Sequence, residues 1–106
     1  DAKTDTLWIY DYGRHLKVSV KFYKDKITRI MASGDSDKRG IFKSRLGVVL
    51  GDSDEKVKRL YGDGTVTIDC AAKFVRQYSN ISFFFDGSPG KAKVTRIEVF
   101  PPRKHK

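Results

Sequence analysis

The sequence predicts an α+β domain: a mainly antiparallel sheet of about six strands, built from two related three-stranded meanders, with one short helix packed on one face. Three observations predict it. Residues 26–32, KITRIMA, are echoed by residues 93–99, KVTRIEV; an alternating apolar segment precedes each copy; and one capped amphipathic stretch lies between them.

The elements follow in order. LWIYDY, residues 7–12, is rich in aromatic and β-branched residues and stops at Gly13, as a strand does. KVSVKF, residues 17–22, alternates with period two, so Val18, Val20 and Phe22 share one face while Lys17, Ser19 and Lys21 take the other. YKD turns the chain into KITRIMA, which closes a first meander over residues 7–32. A linker, 33–50, follows. Its GDSD, residues 34–37, reads as a solvated loop.

Unit 51–100 begins with the helix, GDSDEKVKRLYG. Asp52 is a candidate N-cap with Glu55 at capping-box spacing, Val57, Leu60 and Tyr61 share a face, and Gly62 is the stop. TVTIDC, residues 65–70, either pairs as a seventh strand or runs on into the next. AKFVRQY (72–78), NISFFF (80–85) and KVTRIEV then form the second meander, its hairpin joined by DGSPGKA. A helix over 53–61 spans only about 14 Å and cannot cover six strands. The linker, with Ile41, Phe42, Leu46, Val48, Val49 and Leu50, is therefore expected to cross the sheet and cover the first meander. Val18, Val20, Phe22, Ile30, Ile81, Phe83, Phe85, Ile97 and Val99 form the expected core.

With 106 residues and 39% hydrophobic content, the chain, 1–106, suits one domain with a basic tail, FPPRKHK, whose charged end (101–106) points into solvent. It does not begin with Met, consistent with removal of a leader or a longer upstream segment, and no apolar run reaches the length of a membrane span. Cys70 is the sole cysteine, which excludes an internal disulfide or a thiolate cluster; with TVTID before it and AA after, it reads as a buried, inert thiol. The net charge of +9 favours anionic partners.

Catalytic chemistry finds no footing. His15 and His105 are the only histidines, neither beside a cysteine, and no nucleophile-and-base set emerges. DSDE, residues 52–55, has the acidic spacing that opens an EF-hand loop, but Val57 stands where that loop needs glycine, so it reads as a helix cap. The expectation is a non-enzyme without cofactor or metal. The outward sheet face is more informative: Lys17, Lys21, Arg29, Phe84 and Arg96 form a basic face dotted with an aromatic ring, the candidate partner-binding surface. Exposed lysines also keep sheets soluble and discourage edge pairing, but +9 exceeds what a domain this size needs. Two function classes follow: an interaction module for an acidic protein or anionic polymer, or a nucleic-acid binder using Phe84 and Tyr23. NISFFFDG does not fit an RNA-recognition sheet motif, and no helix-turn-helix or zinc-finger spacing occurs, so the first is preferred.

LGVVLGDSDEKVKRLYG, residues 46–62, followed by a meander ending in KVTRIEVF, resembles the helix and three-stranded unit of small extracytoplasmic bacterial proteins, the SmpA/OmlA lipoprotein and β-lactamase inhibitory protein-like type. The similar elements are Gly47, the Gly51-Asp52-Ser53 turn, Val57, the Tyr61-Gly62 stop and the aromatic hairpin, within residues 44–100. In these relatives two tandem units build one continuous sheet, which makes the first meander a unit lacking its helix. The resemblance implies a binding protein located outside the cytoplasm (periplasmic, secreted or at the cell surface). No lipobox cysteine is present, so lipid attachment is not implied; separately, Asp63 and Gly64 stand where relatives often place a proline after the helix.

Overall fold

A computed structural model describes residues 5–13, 15–38, 40–70, 73–87 and 91–101, with the backbone alone at 5, 6, 69 and 70. The alternating segments form seven strands: β1 (Asp5–Asp11), β2 (Lys17–Tyr23), β3 (Lys26–Ser33), β4 (Thr65–Cys70), β5 (Lys73–Gln77), β6 (Ile81–Asp86) and β7 (Lys93–Val99). One helix, α1 (Asp54–Tyr61), lies between β3 and β4 in the chain. The strands make one open antiparallel sheet in the order β1-β2-β3-β7-β6-β5-β4, so TVTIDC is a strand of its own at the edge beside β5. No helix among the described residues is long and apolar enough to cross a membrane.

The echo in the sequence is a pseudo-twofold in the sheet. β3 and β7 meet at its centre, with Ile30 opposite Val99 and Ala32 opposite Ile97. Laying KITRIMA onto KVTRIEV exchanges these two pairs, which places the axis between the opposed residues Met31 and Glu98. Irregularities repeat as well. The β2–β3 hairpin slips register between Lys21 and Phe22, skipping Thr28, and the β6–β7 hairpin slips between Phe84 and Phe85, skipping Thr95. A bulge of this kind bends the strand and increases its local twist, so both halves curl alike. The β2–β3 turn places Lys24 and Asp25 at φ 52° and 64°, the left-handed pair that matches strand twist in a tight hairpin.

The core occupies one side of the sheet. Val18, Ile81, Phe83, Phe85 and Ile97 are buried as expected, whereas Val20, Phe22, Ile30 and Val99 are half-buried. Of Lys17 and Lys21, both expected to be exposed, Lys17 is exposed and Lys21 half-buried; both take the face opposite the core, which fixes the register.

The helix cap differs from expectation by one residue. Ser53, not Asp52, is the N-cap, its Oγ accepting from the Lys56 N–H at 3.2 Å. Asp52 is occupied elsewhere: its Oδ2 accepts from the Val49 N–H at 2.9 Å and pairs with Lys56 Nζ at 2.9 Å. Gly62, at φ 88°, ends the helix, and its N–H donates to the Lys58 carbonyl. Val57 is fully buried, while Tyr61 packs on Tyr78 and Phe83 with ring centroids 5.4 and 5.1 Å apart. Asp54 and Arg76 are both buried and joined by two hydrogen bonds, Nε to Oδ1 at 2.6 Å and Nη2 to Oδ2 at 3.2 Å, tying α1 to β5.

Two expectations about the linker need correction. Residues 34–37 are not uniformly solvated: Asp37 is buried, and its two carboxylate oxygens accept from the Ile41 and Phe42 N–H groups at 2.9 and 2.8 Å. Those bonds compensate its burial and set the linker's first turn. Nor does the linker cover the whole first meander. Val48 and Leu50 are buried with Leu16, Val18 and Ala32, and Phe42 packs against this cluster, but Ile41 and Leu46 face solvent. Trp8 and Tyr10 on the same side of the sheet remain 52% and 44% exposed. The Cys70 side chain, His105 and the charged end of the tail lie outside the described residues.

Candidate functional site

The side of the sheet opposite α1 carries the basic residues. Register places Leu7 and Ile9 of β1 opposite Lys21 and Ser19 of β2, and Lys21 and Ser19 opposite Arg29 and Met31 of β3. Across the central seam, Ser33 faces Arg96 of β7, which itself faces Phe84 of β6. The five residues singled out from the sequence thus share one face: Lys17, Lys21 and Arg29 on the first half, Phe84 and Arg96 on the second.

The surface between them is concave. A groove of about 470 Å³ runs over β1–β3, with Leu7, Ile9 and Met31 as its apolar lining and Lys17, Lys21 and Arg29 as its cations. A second, of about 350 Å³, takes in Phe84, Arg96 and Lys73, and Ser33 lines both.

Glu98 changes the electrostatics of this face. Alternation in KVTRIEV places it beside Arg96, and it is buried between the two arginines, with Oε1 3.8 Å from Arg29 Nη1 and Oε2 3.2 Å from Arg96 Nε. The second contact is an ion pair not aligned as a hydrogen bond. The Arg96 guanidinium instead lies over the Phe84 ring, 4.2 Å from its centroid. Lys17 and Lys21 have no ion-pair partner among the described residues. Positive charge available to a ligand is therefore concentrated on the first half.

Glu98 was legible from the same alternation that exposed Arg96, and Leu7 and Ile9 from the period of LWIYDY. Lys73, by contrast, joins the face only through the sheet order, which local sequence does not specify. Away from this face, His15 Nδ1 lies 2.7 Å from Asp35 Oδ1 in an exposed pair, and that hydrogen bond holds the Asp35 carboxyl below its usual range. No group of three His, Cys, Asp or Glu among the described residues is placed to hold a metal ion.

No family model matches the chain, and neither curated proteins nor solved structures match it.

Proposed function

We propose that this chain is a non-catalytic interaction module, acting outside the cytoplasm, that binds an acidic protein or an anionic envelope component through the groove over β1–β3. The observation that carries this reading is the combination in one hollow of two lysines without an ion-pair partner among the described residues, Arg29 and an apolar floor. Such a surface fits an acidic segment that also carries apolar side chains: carboxylates meet Lys17, Lys21 and Arg29 while the apolar groups lie on Leu7, Ile9 and Met31. Location rests on the resemblance of residues 44–100 to the helix-and-meander unit of the SmpA/OmlA type. Nucleic acid is the weaker alternative, because the Phe84 face that a base would stack on already carries the Arg96 guanidinium.

A pull-down from envelope and lysate at low and high salt, beside a synthetic peptide of alternating Glu and Leu, tests the site. Capture is expected to weaken steeply as salt rises and to be lost in a Lys17→Glu, Lys21→Glu, Arg29→Glu, Arg96→Glu variant. Capture of the same partner by that variant with unchanged salt dependence overturns the site; a nucleic acid as the captured species replaces the reading with the alternative.

A further inference from the structure

Ile30, Val99 and Ile81 stand in one row across β3, β7 and β6, on the side of the sheet that carries the core: Ile30 lies opposite Val99, and Val99 opposite Ile81. These strands are the innermost of the sheet, yet Ile30 and Val99 are only half-buried. The reason is a cleft of about 470 Å³ over this row, between the end of α1 and the linker. Tyr61 forms one wall, Phe42 and Leu46 the other. Both walls are held by the protein itself. The Tyr61 hydroxyl donates to Ser44 Oγ at 2.9 Å and accepts from the Leu46 N–H at 3.3 Å, while the buried Asp37 carboxylate accepts from the Phe42 N–H at 2.8 Å. The border of the cleft carries charge of one sign. Lys43 and Arg45 are exposed and have no ion-pair partner among the described residues, and no Asp or Glu is among the described residues that line the cleft.

We propose that this cleft is a binding site for an acyl chain with an anionic head, a carboxylate or a phosphate. Its volume lies in the ordinary range of small-molecule sites, roughly 300 to 1,000 Å³, and such sites pair a mainly apolar lining with a few polar groups that fix orientation. The aliphatic floor of Ile30, Val99 and Ile81 takes the chain, because burial there removes apolar surface from water on both sides. The head stays at the border, where the Lys43 ammonium and the forked Arg45 guanidinium meet an anion through charge-assisted hydrogen bonds. A cationic amphiphile is repelled at the same border, and a neutral one fills the floor without using the two cations. Walls held in place before binding lower the entropy lost on association. The cleft lies on the side of the sheet opposite the basic groove, so the site does not rest on the function proposed for that groove.

The test titrates decanoate and decyl phosphate, each below its micelle concentration, into the isotope-labelled chain and follows amide chemical shifts, with decanol, decyltrimethylammonium and the peptide acetyl-Leu-Phe as comparisons. The expected result is a saturable shift of Phe42, Leu46, Ile81 and Val99 with the anions, about tenfold weaker binding of decanol, and none of the cation. The tighter of the two anions names the head group. Lys43→Ala with Arg45→Ala should bring the anions down to the affinity of decanol, and Leu46→Asp should abolish decanoate binding; all three positions are exposed, so the fold stays intact by circular dichroism. Lys17→Glu with Lys21→Glu, on the opposite side, should change nothing. Absence of a saturable shift with either anion overturns the proposal, as does decanol binding as tightly as decanoate. Shifts at Leu7, Ile9 and Met31 in place of the cleft residues overturn it in favour of the basic groove, and tighter binding of the peptide than of decanoate overturns it in favour of a partner's C-terminus.

Discussion

Arg76 holds Asp54 through two nitrogens in a site where both side chains are excluded from water, and a third guanidinium nitrogen donates to the Asp63 carbonyl at 2.8 Å. The carboxylate keeps the Arg76 pKa above its ordinary value. Removing one member leaves an uncompensated buried charge. Arg76→Met is expected to cost about 3 to 5 kcal/mol in urea unfolding, and adding Asp54→Leu to recover most of it.

Phe83 is fully buried beneath Tyr61, whereas its twofold counterpart Val20 is half-buried. Phe83→Ala should cost about 3 to 5 kcal/mol through lost burial and a cavity. Val20→Ala should cost under about 1.5 kcal/mol, because the area is already partly wet. Equal losses in chemical denaturation would contradict the uneven coverage of the sheet.

Gly34, at φ 141°, lies so close to the β1–β2 turn that a Cβ would stand 1.9 Å from the His15 carbonyl oxygen, a backbone atom with little room to retreat. Gly34→Ala should destabilise by about 3 kcal/mol or more. Gly47→Ala, with open space but φ 99°, should cost about 1 kcal/mol. Thermal unfolding of the two variants separates steric conflict from backbone strain.

Tyr78 donates from its hydroxyl to the Gly62 carbonyl at 2.7 Å, and burial raises its pKa above 10.0. The neutral form is the one the fold prefers, so its contribution is complete below the unfolded-state pKa near 10 and is lost as pH rises through the folded value. Stability should fall on the alkaline side of pH 10, and Tyr78→Phe should flatten that limb in denaturation curves recorded between pH 8 and 11.

Glu98 neutralises part of the basic face from within. Glu98→Gln should tighten binding of an acidic peptide and steepen its dependence on salt, as measured by titration at two ionic strengths, because Arg29 and Arg96 lose their internal counter-charge. Phe84→Ala should leave binding largely unchanged, since the ring lies outside the groove over β1–β3 and its face is covered by the Arg96 guanidinium.

The strand pairs and inner face were legible because hairpins are local: period-two alternation in KVSVKF and NISFFF fixes which side each residue takes, and short turns fix its partner. Gly62 as the helix stop was equally readable. The choice of Ser53 over Asp52 as cap was not, because it depends on Asp52 closing the preceding turn through the Val49 N–H. Asp37 escaped for a related reason, its partners Ile41 and Phe42 being backbone groups of an irregular segment without periodicity. Within the site, the cations on each strand followed from alternation, but their meeting on one concave face depended on β3 pairing with β7, a contact between distant parts of the chain.

That central pairing has a mechanical consequence. β3 and β7 share four register pairs, against seven between β1 and β2, so the sheet is narrowest in bonding along its symmetry axis. The start of the linker clasps the same seam: the Gly34 N–H donates to the Thr95 carbonyl at 3.0 Å. Load applied across the molecule should therefore open it like a hinged case, the clasp yielding together with the four-rung seam, while the three-stranded part (β1–β3) and the four-stranded part (β4–β7) each stay folded. Amide protons of Gly34 and the β3–β7 ladder should then exchange as one cooperative group.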